Sequence, residues 1–198
     1  MIALPLVILA AGKSKRFGVG DKRFTILPHG GVLVNAMVRR GRRAGLDVYV
    51  ALDASDDVSE KIDAPCLFAK NASSGMGATI ADTLSELAAL SSADAVLIMP
   101  VDLPLIRVKS LRCVAERASL DRIVMPQHNG RRGHPVAFGR QYWPALMKLS
   151  GDEGARSMIS SNVDHVDMVE LDDEGIYLDA DTPEEMEVLM TKLRPTLR

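Results

Sequence analysis

Short apolar runs alternate along this chain with longer stretches in which apolar residues recur every three or four positions. Leu4–Ala10, Val48–Leu52, Cys66–Ala69, Ala95–Met99 and Ile123–Met125 read as strands. Most of these runs lack polar alternation, the pattern of strands covered on both faces in a mostly parallel sheet. Between them lie helical patterns. Val32–Ala44 ends at Gly45 and carries Arg39, Arg40, Arg42 and Arg43 in its last turns, where cations suit the helix dipole. Thr79–Leu90 sets Ile80, Leu84, Leu87 and Leu90 along one face. A third helix is expected over Ser110–Ala118. Before Met186–Leu193, Thr182 is an N-cap, Pro183 sits at N1 and Glu185 completes a capping box. Such alternation predicts a three-layer α/β/α domain. No repeat, low-complexity tract or linker interrupts it, so residues 1–198 read as one domain.

Composition narrows the function classes. Among 198 residues, 24 Lys+Arg stand against 26 Asp+Glu, a net charge of −2 that lacks the basic excess of a nucleic-acid binder. Aromatics make up 4% of the chain and none lies inside the arginine clusters Arg39–Arg43 and Arg131–Arg132 to stack a base. The opening run Ile2–Ala11 is too short to span a bilayer. Its cations follow the run instead of preceding it, so a buried first strand fits better than a signal peptide. Cys66 and Cys113 have no CxxC or Cys–His spacing, which points away from disulfides and zinc and towards a reducing compartment. The expectation is a soluble, cytoplasmic protein that binds neither nucleic acid nor membrane.

Candidate chemistry begins where the first strand runs into Leu9-Ala10-Ala11-Gly12-Lys13-Ser14-Lys15-Arg16-Phe17-Gly18-Val19-Gly20-Asp21-Lys22. Small residues leaving the carboxyl end of a buried strand let backbone N–H groups approach a ligand. Arg16 and Lys22 add the positive charge that a polyphosphate needs. A Walker loop is excluded because Val7 stands where its first glycine belongs. No G-x-G-x-x-G is present either. A solvated basic loop is the competing reading.

Two acidic segments follow. Asp102, in Val101-Asp102-Leu103-Pro104, lies just past the fourth apolar run and suits a metal ligand, although a turn-forming aspartate is the alternative. Asp179 and Asp181 precede the last helix. Asp179 is the better second ligand, since Asp181 could simply support the helix N-terminus. Two carboxylates with triphosphate oxygens make an all-oxygen site suited to Mg²⁺. A third segment, His128-Asn129-Gly130-Arg131-Arg132-Gly133-His134-Pro135-Val136, suggests a hairpin-like loop over the cleft. His134 could contact a phosphate or position an acceptor there, or it could pack structurally beside a solvated arginine tip.

Taken together these motifs resemble the nucleotidyltransferases of Rossmann-like, GT-A type fold, which have a mostly parallel mixed central sheet. L-A-A-G-x-x-x-R-F-G with a following lysine resembles the family signature. V-D-L-P resembles its G-D-x-P, with Val101 in place of glycine, and D-A-D-T-P-E-E its C-terminal D-x-D-T-P-E-D. H-N-G-x-x-G-H-P leading into a strand is similar to the branch containing molybdenum cofactor cytidylyltransferases, as are Gly151-Asp152-Glu153-Gly154-Ala155-Arg156 and Asn71-Ala72-Ser73-Ser74-Gly75-Met76-Gly77. In the last segment, Ala72 replaces a proline and the spacing is one residue shorter.

The resemblance implies an Mg²⁺-dependent transfer of NMP from an NTP to a phosphate acceptor of molybdopterin type, with pyrophosphate released. It implies nucleotide contacts from Leu9, Ala10, Ala11, Gly12, Lys13, Arg16, Lys22, Asn71, Gly75 and Gly77. Arg16, Lys22 and Asp102 would be catalytic, and Asp102, Asp179 and Asp181 would hold metal. Pro104, Gly133 and His134 would meet the acceptor. Ala11 favours CTP, whereas the Arg16-to-Lys22 spacing is also found with GTP. Sugar-phosphate acceptors stay open, as does a non-catalytic carrier that hands a dinucleotide cofactor to a molybdenum hydroxylase partner.

Overall fold

A computed structural model describes residues 3–12, 17 and 20–193. Four parallel strands form one side of its sheet: β1 (Pro5–Leu9), β2 (Asp47–Asp53), β3 (Cys66–Ala69) and β4 (Ala95–Pro100). Beyond β4, β7 (Val136–Gly139) runs antiparallel and pairs in turn with β5 (Ile123–His128). β6 (Arg131–Arg132) pairs antiparallel with β5, and β8 (Val166–Glu170) pairs with it in parallel. The order is β3-β2-β1-β4-β7-β5-β6 with β8 on β5. This is a mixed sheet of eight strands with helices on both faces, in Rossmann-like arrangement.

Strand pleating explains the unbroken apolar runs. Leu6, Ile8, Leu97 and Met99 face a core shared with α1 (Leu33–Arg43), α3 (Val108–Arg117) and α6 (Pro183–Leu193). Their neighbours Val7, Val96 and Ile98 face the opposite core, with α2 (Met76–Leu90), α4 (Trp143–Leu146) and α5 (Arg156–Ser161). Each strand therefore needs apolar side chains on both sides. The capping box forms as expected: the Glu185 amide donates to Thr182 Oγ1 at 3.2 Å, and the Thr182 amide donates to Glu185 Oε2 at 3.1 Å.

Several expectations are corrected. The second helix begins at Met76 and not at Thr79, because Gly75 at φ 111° turns the chain directly into it. Ile80, Leu84 and Leu87 are buried, but Leu90 is 60% exposed at the helix end. The fifth run extends to His128, and β6 and β8 were not expected. β8 alternates valine with acids and is mostly half-exposed, while β6 is two exposed arginines, so neither carries a continuous apolar signal.

Leu84→Ala should cost about 2–5 kcal/mol, since Leu84 is 0% exposed between sheet and helix. Leu90→Ala on the same helix should stay within about 0.5 kcal/mol. Urea unfolding of both variants measures the difference.

Candidate active site

Because β1, β2 and β4 are parallel, their carboxyl ends lie along one edge of the sheet, where open α/β sheets bind ligands. A cleft of roughly 620 Å³ opens at this edge. Its floor is the turn Leu9, Ala10, Ala11 and Gly12; Asp53, at the end of β2, lines it too, and Pro100, Val101 and Asp102 follow from β4. Ala72, Ser73, Gly75, Met76 and Thr79 supply another wall, together with Asp152 from the loop before α5.

Asp102, Asp179 and Asp181 meet at this edge. One carboxylate oxygen from each lies within 4.8 Å of the other two. Lys22 is buried beside them. Its Nζ donates to Asp102 Oδ2 at 2.6 Å and to the Ala180 carbonyl at 2.9 Å, and stands 3.8 Å from Asp181 Oδ1. Asp102 Oδ1 is buried and has no hydrogen-bond partner among the described residues. A donor set made only of carboxylate oxygens, one of them buried and unsatisfied, fits a hard divalent cation. Arg16 and Lys13 lie outside the described residues.

The segment carrying Asp179 is clasped on three sides. A Cβ on Gly175 would come within 2.5 Å of the Leu105 backbone, and one on Gly133 would come within 2.5 Å of the Ile176 carbonyl. The His134 amide donates to that same carbonyl at 2.8 Å. Tyr177 lies 6.2 Å from the His128 ring in a stacked pair, and the Arg131 guanidinium sits 4.2 Å over its centroid. The hairpin turns on Asn129 and Gly130, both at positive φ, as a two-residue turn requires. It covers this segment and does not line the cleft. His128 Nδ1 lies 2.8 Å from the Leu171 carbonyl and Nε2 lies 3.0 Å from Asn129 Nδ2, so both ring nitrogens are engaged locally.

Other expected contacts are distributed unevenly. Gly75 lines the cleft, but Asn71 turns away, its amide donating to Asp82 Oδ2 at 2.7 Å. Gly77 is packed against the Ser150 carbonyl and its amide donates to Gly151 at 2.7 Å, so it supports the wall without lining it. Pro104 is buried in the turn after β4. His134 does not line the cleft but faces Asp102 and Asp179 electrostatically. Burial pushes its pKa down, opposed by a hydrogen bond with the Ile98 carbonyl and by those two acids.

Three cleft residues escaped the motif reading: Asp53, Thr79 and Arg23. Asp53 is an acid at the end of an apolar run, the same signal that singled out Asp102. Arg23 is buried. It donates to both oxygens of Asp21, to Asp56 and, at 3.0 Å, to the Ala10 carbonyl, so it braces the floor of the cleft. Burial works against its charge, but the hydrogen bonds to Asp21 and Asp56 outweigh this and raise its pKa. For Asp21, burial alone would raise the pKa, yet Arg23 holds it below the ordinary 3.8.

The family model of the MobA-like NTP transferase domain matches residues 6–166. Purine catabolism protein PucB of Bacillus subtilis (strain 168) is 25% identical over 196 residues, covering 92% of this chain and 94% of its own. The structure of the Mycobacterium tuberculosis rv0371c homolog from Mycobacterium sp. strain JC1 is 25% identical, with a TM-score of 0.77 and 96% of each chain covered. A manganese complex of Rv0371c from Mycobacterium tuberculosis H37Rv is 21% identical, with a TM-score of 0.77 over 96% of this chain and 99% of that one.

Arg23→Met should destabilise the protein by about 1–3 kcal/mol, because it removes charge-assisted hydrogen bonds to the half-exposed Asp21 and Asp56 and to the Ala10 carbonyl. The depressed Asp21 contributes stability that is full above its unfolded pKa and is lost as pH falls through the lower folded value. Urea midpoints measured from pH 5 down to pH 2 should therefore fall less steeply in Arg23→Met than in the unaltered protein.

Proposed function

Since this chain belongs to the MobA-like NTP transferase family, and is thus a nucleotidyltransferase by family, we propose that it moves CMP from CTP onto the phosphate of a molybdopterin-type acceptor. The observation that carries this reading is the meeting of Asp102, Asp179 and Asp181 beside Lys22 at the mouth of the Leu9–Gly12 turn. CTP follows from Ala11 in Leu9-Ala10-Ala11-Gly12, and the acceptor from the His128–Pro135 and Gly151–Arg156 motifs. The manganese held by the Mycobacterium tuberculosis relative accords with a divalent ion in such a fold.

In the proposed reaction an acceptor phosphate oxygen bonds to the α-phosphorus. The opposite P–O bond breaks and pyrophosphate leaves with the electron pair. The nucleophile is already anionic, so no serine, cysteine or histidine has to activate it. Alignment and charge compensation carry the catalysis. Mg²⁺ held by Asp102, Asp179 and Asp181 would neutralise oxygens of the triphosphate. The backbone of Leu9, Ala10, Ala11 and Gly12 holds the nucleoside, with Gly75 opposite. Lys22 fixes Asp102 and keeps a positive charge beside the leaving group. Arg16 and Lys13, which follow this turn in sequence, grip the phosphates. Pro104, Gly133 and His134 shape the acceptor side. Asn71 and Gly77 act from behind the wall, through Asp82 and the 150–151 backbone.

A thermal-shift panel of NTPs with and without Mg²⁺ tests the donor, since ligands of the folded state raise its melting temperature. The expected result is a shift with CTP that needs Mg²⁺; a shift confined to GTP would correct the base. Pyrophosphate release with CTP, Mg²⁺ and the pterin acceptor tests the transfer. Tight pterin binding without release would favour a carrier instead. Arg16→Ala should lower turnover about a hundredfold in a folded protein.

A further inference from the structure

Four guanidiniums gather on α1 and α3, and none of them lines the cleft. Arg39, Arg40 and Arg43 stand at i, i+1 and i+4 on α1 and therefore share one face of it. The Arg39 side chain runs back along the helix, so that a Cβ on Gly31 would come within 3.0 Å of its Nη2. Arg112 joins them from α3, its Nη2 donating to the Arg43 carbonyl at 3.0 Å. α1 ends at Arg43 and β2 begins at Asp47, which places this end of the strip beside the amino ends of β1 and β2, at the edge of the sheet opposite the cleft.

A single unpaired surface cation is ordinary, but four held together are not. Ion pairs among the described residues use Lys22, Arg23, Arg107, Arg122 and Lys192, and none reaches Arg39, Arg40, Arg43 or Arg112. Arg40 is half-buried, and its one hydrogen bond among the described residues goes to the Met37 sulfur, a weak acceptor, at 3.2 Å. Asp173 is the acid behind it, and its carboxylate is already taken by the Arg107 amide, Ser110 Oγ and the Gly175 amide. The helix dipole does not account for the cluster. It favours a cation in the last turn, but the like-charge pairs Arg39–Arg43 and Arg40–Arg43 oppose the helix by similar amounts. The carbonyls at this end have other donors as well. The Ala44 amide serves Arg40 and Gly41, the Gly45 amide serves Arg42, and Arg112 serves Arg43.

We infer that the strip of Arg39, Arg40, Arg43 and Arg112 is a docking surface for a protein partner that presents an acidic segment, whose carboxylates supply the acids this chain does not. All four cations are arginine, whose planar fork takes a carboxylate through two parallel hydrogen bonds, whereas a lysine offers only a point charge. Other polyanions fit less well. No large apolar side chain is exposed on α1 or α3 to enter a lipid surface, and no aromatic stands on either helix to stack a base. The net charge of −2 opposes an extended polyanion, while a short acidic segment meets only the strip. A partner seated here leaves the cleft open, and its binding does not depend on what the cleft transfers.

The test titrates a fluorescein-labelled oligoglutamate with the full chain and follows fluorescence anisotropy, without nucleotide or metal. The expected result is saturable binding that weakens as salt is raised. Affinity should be about tenfold or more weaker in Arg39→Gln/Arg43→Gln, which leaves the half-buried Arg40 in place, and should also fall in Arg112→Gln. Thermal melting checks that each variant folds. Lys70→Gln/Lys148→Gln removes the same charge from exposed lysines elsewhere and should bind as the unaltered protein does. Failure of the unaltered protein to bind the oligoglutamate would overturn the inference. Equal affinity in the unaltered protein and a folded Arg39→Gln/Arg43→Gln would do the same. Equal weakening in the two double variants would overturn it too, reducing the effect to net charge. Labelled single-stranded RNA and vesicles of phosphatidylserine with phosphatidylcholine are titrated in parallel, and tighter binding of either would assign the strip to that polyanion instead. None of these outcomes bears on the transfer reaction, which its own assays test.

Discussion

Lys22 and Asp102 are separated by 80 positions in sequence and 2.6 Å in space, and the site depends on that contact. One ammonium draws together the stretch after the first turn, the end of β4 and, through the Ala180 carbonyl, the segment before α6. It sets a positive charge beside Asp102 and Asp181, close to which Asp179 also comes. The pair is mostly buried, so solvent screens it little. Lys22 therefore acts as an internal counter-ion to Asp102, whose Oδ1 is buried with no hydrogen-bond partner among the described residues.

Holding carboxylates together against repulsion requires a stiff backbone, and the Gly175–Tyr177 strip supplies it. Gly175 lies against the Leu105 backbone, Ile176 against Gly133 and His134, and Tyr177 between His128 and Arg131. Its near end is tied down by buried Asp173, which accepts from the Arg107 amide and from Ser110 Oγ at the start of α3. Acceptors at a helix N-terminus satisfy otherwise orphaned amides. The same carboxylate thus caps α3 and anchors the strip that leads to Asp179. Residues of the His128–Pro135 segment also form the clamp on this strip.

How much of this was legible before the fold was known differs by kind of signal. The parallel strands were plain, because burial on both faces leaves unbroken apolar runs; so was α6, because a capping box is local. β8 was not, since a half-exposed strand mixing valines and acids looks like loop. In the site, Asp102 and Asp179 could be read from their position after apolar runs. The role of Lys22 could not, because a cation after a glycine-rich turn looks the same whether it meets phosphate or carboxylate. Arg23 was hidden for a related reason: nothing local marks a guanidinium whose partners, Asp56 and the Ala10 carbonyl, come from elsewhere. Motif spacing suggested Asn71 and Gly77 as contacts, yet the partners that turn them from the cleft, Asp82 and the Ser150–Gly151 backbone, are visible only in three dimensions.

A last constraint follows from counting charges along the cleft. Its lining includes three carboxylates, Asp53, Asp102 and Asp152, and only two cations among the described residues, Lys22 and Arg23. Both cations are committed, Lys22 to Asp102 and Arg23 to Asp21 and Asp56. A triphosphate entering this cleft would meet two cations that already hold carboxylates. Its binding free energy would then come from groups those ion pairs do not use: the backbone amides of the first turn, the cations Lys13, Lys15 and Arg16 that follow it in sequence, and a divalent ion on Asp102. These act together, because each compensates a different part of the same polyanion. A nucleotide and a divalent ion would then bind as one unit, each compensating charge that the other brings.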